Sequence, residues 1–471
     1  MKTLAILLLM GQPWLAYAGE QAQPASSSSF TIQEAVKLAL DNYPAVRAAL
    51  ANTQVSAAGV DFARTIYLPR ADVLWQMNRA TRNSVVGLVL PQPVVAGVSG
   101  GIGVNRNEMI WGSAAGVMLN WEPFDFGVRG ATVESAESSL RRASAAAEVT
   151  ELQVATVAAE AFLSVVATEQ TLRAAAAAVE RARVFHEVVV ARVQAGLRPG
   201  VDAARARAEL AAAETQRIIA DQNARVARVV LAQYTGRSPD DISVVSGSLL
   251  NLPPADALQA AVPPSPTAAQ TGLQLHPFVV EQNAAIEESR ARLRLFERSY
   301  FPRFNLLFNT SARGSGVRPD NTIKDGLGGL KPEVGNWAVG LNILFPIFDR
   351  PAIEARELAE RQRQVVETAR YDRVIEDLEA QMGRAQTLVD GAQRAAANTP
   401  FQLAAAQATH QQATARYQSG LSGIVEVADA QRLLTQSEID DVIAKLNVWR
   451  GLLLVATAEG SLDPFLQRVQ P

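Results

Sequence analysis

The sequence predicts a mainly α-helical chain with a four-stranded β contribution, built as two tandem copies of a long helical hairpin. Three observations predict it: landmark motifs that recur in order, helical stretches too long for an ordinary domain, and four segments that alternate with a period of two. The chain has 471 residues and ample length for a large core. Its aromatic content of 6% and its many alanines favour helix over sheet.

The duplication is read from spacing. Tyr67-Leu68-Pro69-Arg70 returns as Tyr300-Phe301-Pro302-Arg303, and Pro44 and Pro277 each lie 25 residues before the motif's proline. Pro123-Phe124-Asp125 is echoed by Pro346-Ile347-Phe348-Asp349. Arg192-Val193-Gln194-Ala195-Gly196-Leu197 returns as Arg416-Tyr417-Gln418-Ser419-Gly420-Leu421, an offset of 224 that Gly236 and Gly460 also keep. The first repeat covers 31–236 and the second 275–460, joined by a Pro-rich connector, 237–274, with a C-terminal tail at 461–471.

Residues 131–195 contain neither Gly nor Pro, and a helix of those 65 residues would be about 100 Å long at ~1.5 Å per residue. Leu152, Ala155, Ala159, Phe162 and Val166 step by 3, 4, 3 and 4, the seam of a coiled coil. Helices are expected at about 127–195 and 201–235, with a tight reversal at 196–200 between them. The second repeat follows the plan at about 351–419 and 424–459, with a seam through Tyr371, Ile375, Leu378, Met382 and Val389. Pro400 should kink or interrupt that helix.

Before each long helix the period changes to two. Ala71, Val73, Trp75 and Met77 share one parity, as do Trp111, Ala115, Val117, Leu119 and Trp121. Phe304, Leu306 and Phe308 behave alike, as do Trp337, Val339, Leu341, Ile343 and Phe345. Strands are therefore expected at about 69–82, 109–123, 301–312 and 334–346, each apolar on one side and small or polar on the other. Trp75, Trp111, Trp121 and Trp337 suit an aromatic girdle at a bilayer interface. The Gly-rich run 97–103 is read as loop, since no helix start with a Lys follows it. One-sided sandwich strands would explain any single pair. Four strands cannot close a barrel, however, and open edges in lipid leave backbone groups unpaired at several kcal/mol each. If these strands meet lipid, several chains must share one barrel.

Residues 1–18 read as an export signal: Lys2, an apolar stretch at 4–10, and Ala16-Tyr17-Ala18 as the cleavage site. A flexible mature N-terminus, 19–30, follows. Beyond the signal no run of roughly 18 uninterrupted apolar residues is present. The net charge of −3 gives no argument for a nucleic-acid partner. With zero Cys and only His186, His276 and His410, thiolate and triad chemistry have little to work with, and no cofactor is indicated. His186 and His410 keep the repeat offset; a shared metal site is conceivable, and solvated or seam histidines are the plainer reading.

In the order and spacing of these motifs the mature chain resembles the TolC-like outer-membrane factor family, the exit ducts of efflux pumps and type I secretion systems. The resemblance implies a homotrimer in the outer membrane of a Gram-negative-type bacterium. Its three chains would share a 12-stranded β-barrel, with a trimeric α-barrel of long hairpins reaching into the periplasm. The connector and tail would fall near an equatorial belt. It also implies a passive duct, not an enzyme, that works with a periplasmic adaptor protein and an inner-membrane transporter of RND, ABC or MFS type.

The resemblance places function at the helix reversals. Gly196-Leu197 and Gly420-Leu421 would be the tips where the adaptor docks; physically, glycine serves the turn and leucine a small apolar contact. Asp202, Glu426 and Asp429 align with acids that narrow a closed aperture, and threefold repetition would concentrate their field. Acids in a first helical turn also stabilise it by ~0.3–1 kcal/mol, so both readings stay open for Asp202; the pairing of Glu426 with Asp429 favours the aperture. Tyr417 fits a tyrosine that latches the closed state. The family's arginine partner has no counterpart at Ser422, and Arg198 holds the equivalent place in the first repeat. Two rivals are a soluble periplasmic coiled-coil scaffold and an exported hydrolase on a helical frame.

Overall fold

The computed structural model describes residues 30–81, 108–254, 273–318, 320 and 322–469. The expected signal at 1–18, the terminus up to residue 29 and the run 97–103 lie outside them. Helix α1 (Ile32–Asn42) opens on a capping box in which Thr31 and Glu34 satisfy each other's amides. Helix α2 (Pro44–Arg64) places proline in its first turn, where no amide is needed. Strands β1 (Arg70–Thr81) and β2 (Met109–Phe124) follow, then α3 (Val128–Gln194) and α4 (Gly200–Thr235). The second repeat contributes α5 (Pro277–Arg298), β3 (Arg303–Ser315), β4 (Val334–Leu344), α6 (Arg350–Gln418) and α7 (Ile424–Glu459). A last short helix, α8, spans Asp463–Arg468.

The long helices α3 and α6 have 67 and 69 residues, so each is about 100 Å long at ~1.5 Å per residue. On α3 the buried Ala131, Ser138, Ala145, Leu152, Ala159 and Val166 recur every seven residues. On α6 the same step joins Leu378, Ala385, the half-buried Ala392, Thr399, Ala406 and Ala413. A strict seven-residue repeat on a 3.6-residue helix drifts slowly round the axis and imposes a left-handed supercoil. Short helices complete each level of the wall: α2 and α5 pack beside α3 and α6 near the strands, and α4 and α7 pair with them towards the tips. The most apolar stretch of α3 is long enough to cross a membrane and is instead spent on the core, where Ala158, Phe162, Leu163, Val165 and Val166 are fully buried.

The structure adds to the sequence reading at three places. Pro400 does not interrupt α6, which runs unbroken past it. Pro400 faces solvent, the side on which a supercoiled helix lengthens its hydrogen bonds anyway. Next to it, buried Thr399 donates to Asp441 of α7 at 3.0 Å, holding the two helices together at that level. Phe30, assigned to the flexible terminus, is buried against Phe162, donates to Ser243 and accepts from Val245. The C-terminal tail contains α8, whose Phe465 lies edge-on to Trp449 in the main core. Local sequence could not show these contacts, because their partners lie far along the chain.

Candidate functional site

The four strands form one antiparallel sheet in the order β1-β2-β3-β4, with β1 and β4 at its edges. Register decides what it presents. Ala71, Leu119, Phe308 and Val339 lie in one row across it, and Val73, Val117, Thr310 and Trp337 in another. All four apolar parities therefore share a face. The other face carries rows such as Leu74, Gly116, Ser311 and Asn336. Strand β3 continues to Ser315, beyond its expected end, because Arg313 and Gly314 still pair with Ala114 and Ser113.

The four tryptophans do not form one belt. Trp121 and Trp111 stand ten residues apart on β2, about 33 Å at ~3.3 Å per residue, while Trp75 and Trp337 lie at intermediate rows. Trp75 and Trp337 are exposed. Trp121 donates from its indole to the Tyr67 carbonyl at 3.1 Å, pinning the sheet to the first repeat's Tyr-Leu-Pro-Arg motif. Trp111 lies under the Arg79 guanidinium, 5.3 Å from its carbon to the ring centroid.

At the tips, both hairpins turn through the same device. Gly196 (φ 70°) and Gly420 (φ 81°) adopt left-handed backbone that a side chain would strain. The amides of Gly196 and Leu197 donate to Val193 and Arg192, and those of Gly420 and Leu421 to Tyr417 and Arg416. These paired bonds satisfy the last carbonyls of α3 and α6. The leucines do not make the small apolar contact expected of them, for Leu197 and Leu421 are each 72% exposed. The residues five back in the chain are arginines, so no apolar partner waits there.

Tyr417 is the centre of the site. It is fully buried in a cluster of Val189, Ala206, Ala413, Ile424, Val427 and Ala430, with Phe185 edge-on to its ring at 5.2 Å. Its carbonyl accepts from Arg192 and Arg198 of the first hairpin, and the Arg198 guanidinium carbon lies 4.6 Å from its ring centroid. Arg198 also donates to the Ser422 carbonyl at 3.2 Å. Burial pushes the Tyr417 hydroxyl up and Asp202 adds to the shift, against Arg198 and Arg192. The tyrosine therefore stays protonated.

The acids are arranged differently. Asp202 is half-buried in the first turn of α4, within electrostatic reach of Tyr417. Glu426 and Asp429 are exposed, with Arg416 at 3.9 Å from the first and Arg432 at 3.6 Å from the second. Such open pairs contribute ~0–1 kcal/mol. Arg432 makes its shorter contact, 2.7 Å, to Glu209 of α4. Among the described residues no group of three or more metal-ligating side chains is present, and His410 lies beside Arg181 rather than in a metal cluster. The sequence shows Arg192 as the first residue of the recurring tip motif without a role for its side chain; its signal was a cation in the last turn of α3, placed to bond the carbonyls ending α6.

Comparison with known proteins agrees with this geometry. The chain matches the family described as outer membrane efflux protein over residues 35–237 and 268–453. It is 25% identical over 351 residues to the pyoverdine export outer membrane protein OpmQ of Pseudomonas aeruginosa, covering 72% of this chain and 68% of that protein. The CmeC outer membrane channel of Campylobacter jejuni superposes with a TM-score of 0.74 at 17% identity, over 96% of this chain and 94% of that one. The open state of the MtrE outer membrane channel of Neisseria gonorrhoeae gives 0.66 at 18%, over 91% and 89%. TolC-like efflux channels are trimers that work with adaptor proteins and inner-membrane transporters. Since the family match takes in both hairpins and the sheet between them, the scaffold and hydrolase readings fall away, and the chain belongs to the outer membrane efflux proteins: it is an outer-membrane channel with a long periplasmic helical part, not an enzyme.

Proposed function

We propose that the chain is the exit duct of a tripartite efflux or type I secretion system, driven by an RND, ABC or MFS transporter and coupled through an adaptor at the tips. One observation carries this reading: a four-stranded sheet with one continuous apolar face and two edges left unpaired among the described strands. Three such sheets supply twelve strands and close the ring, leaving no backbone group bare in lipid. Leu197 and Leu421, held outward on glycine turns, are the apolar knobs an adaptor would cover. Asp202, Glu426 and Asp429 line the aperture with the buried Tyr417 as the latch behind them, and the adaptor favours the open state by making more contacts with it than with the closed one. Pyoverdine, named for the relative, is the first cargo to test.

Mass measurement in detergent and single-channel recording test the duct: three copies and a discrete conductance are expected, and a non-conducting monomer overturns it. A cysteine replacing Leu421 should cross-link to the adaptor, whereas one replacing Phe401, far up α6, should not. Equal yields from the two positions would remove the tips as the docking site.

A further inference from the structure

The plan of the chain is laid down twice, but one of its packing arrangements occurs only once within a single copy. The helix that follows β2 packs on the helix that precedes β3, so α3 lies against α5. In the second repeat the helix that follows β4 is α6, and its equivalent partner would be α2, which precedes β1. One copy cannot bring these two together, because β1 and β4 lie at opposite edges of its sheet. Among the described residues the upper helices form an open row, α2-α3-α5-α6, with α2 and α6 at its ends.

The repeat offsets identify which residues correspond. An offset of 224 carries α3 onto α6, and one of 233 carries α2 onto α5. The α3–α5 seam is polar: Arg142 donates to the buried Glu288 at 3.1 Å, and the Ser139 hydroxyl donates to the same carboxylate at 2.6 Å. Arg142 corresponds to Val366 on α6, and Glu288 to Val55 on α2. A second pair in that seam, Arg294 with Glu134, corresponds to Asp61 and Leu358, so neither ion pair is recreated. Where the chain covers its own charges, the open ends of the row hold out apolar side chains instead. Val55 is 69% exposed and Val366 48%. Valine is a poor choice for a solvated helix face, and here it stands at both of the positions that the offsets match.

We infer that neighbouring copies join by repeating this seam: α6 of one copy packs on α2 of the next, with Val366 against Val55. β4 of the first copy then lies beside β1 of the second, which is the pairing both sheet edges need in lipid. The inference rests on the exit-duct reading and adds to it the helix faces and the residue pair that close the ring. Two valines bring no charge out of water when copies meet, so this seam, unlike the ion-paired one inside the chain, is indifferent to salt.

Cross-linking tests it in a chain that has no cysteine of its own. Val55→Cys/Val366→Cys, treated with a short bis-maleimide in outer-membrane vesicles, should be joined into covalent trimers. Val55→Cys/Leu388→Cys should not, since Leu388 stands about 33 Å further along α6 at ~1.5 Å per residue. Introduced charges give a second measurement. Val55→Glu or Val366→Arg alone should speed trimer dissociation in detergent about ten-fold, and the two together should return it to within about three-fold of the original rate. An intact trimer that does not cross-link at this pair, or whose dissociation neither charge alters, overturns the seam and leaves the duct reading standing. A cross-link from position 55 to the adaptor or another protein overturns the seam as well. An unsubstituted chain that is not trimeric overturns both.

Discussion

Arg198 stacks on Tyr417, its guanidinium carbon 4.6 Å from the ring centroid, and donates to the same tyrosine's carbonyl at 3.0 Å. The two residues belong to different hairpins, so one side chain fastens both tips through a cation–π contact and a charge-assisted hydrogen bond. Arg416, the repeat counterpart of Arg192, instead turns to Glu426 within its own hairpin. The clamp thus exists in one direction only.

Arg198→Ala should loosen this clamp by about 2 kcal/mol, a roughly thirty-fold rise in the population of parted tips. Larger resting conductance in planar bilayers and faster amide exchange in the last turn of α6 are the expected readouts. Arg198→Lys should restore little, because an ammonium cannot stack and reach two carbonyls together. Unchanged conductance and exchange in the alanine variant would take Arg198 out of the closure.

Glu426→Gln/Asp429→Asn should raise ion leakage and weaken divalent-cation block by about ten-fold, since both carboxylates stay largely solvated despite their arginines. Thermal stability should change by less than ~1 kcal/mol. If conductance and block match those of the unsubstituted trimer, the pair serves only the start of α7.

His276 should make stability depend on pH. It is buried, its Nδ1 accepts from the Phe278 amide, and its Nε2 donates to the Thr457 carbonyl. Burial lowers its pKa, against the Thr457 bond, so the folded state prefers the neutral ring. The unfolded chain binds the proton more readily, so the contribution is complete above ~6.5 and is lost as pH falls from there through the folded pKa. His276→Gln should flatten that part of the curve in denaturant titrations between about pH 7 and 5. A curve of the same shape would assign the dependence to other groups.

Asp125→Ala should be severe. The Asp125 carboxylate accepts from the amides of Gly127 and Arg129 and pairs with the buried Arg129 guanidinium at 3.1 Å, which itself covers the Tyr67 ring. Leaving that arginine unpaired costs about 3–5 kcal/mol. The repeat counterpart Asp349 is exposed and its side chain makes no cap, so Asp349→Ala should cost under ~1 kcal/mol. Guanidinium unfolding midpoints of the two variants give the comparison; equal shifts would mean the ion pair has no special weight.

Much of the architecture was legible because its signals are local. Leu152, Ala155, Ala159, Phe162 and Val166 announce a seam, and all five are buried. Gly196 and Gly420 announce the reversals, since a left-handed turn needs them wherever it is packed. Helices α2 and α5 escaped notice because neither carries a long seam; each is held by contact with α3 or α6. The exposure of Leu197 and Leu421 was equally hidden, as it depends on what does not pack against them.

By itself the sequence determined the periods: seven for the rods, two for the strands, and a long spacing that writes the hairpin twice. Each follows from backbone geometry within a few residues, or from the chain's likeness to itself. Tertiary structure alone decided the register that gathers Val73, Val117 and Trp337 on one face, and the reach of Arg198 to a tyrosine 219 positions away. Those choices rest on packing between segments that no local preference can align, because many partners would satisfy each segment separately and only the assembled wall satisfies them together.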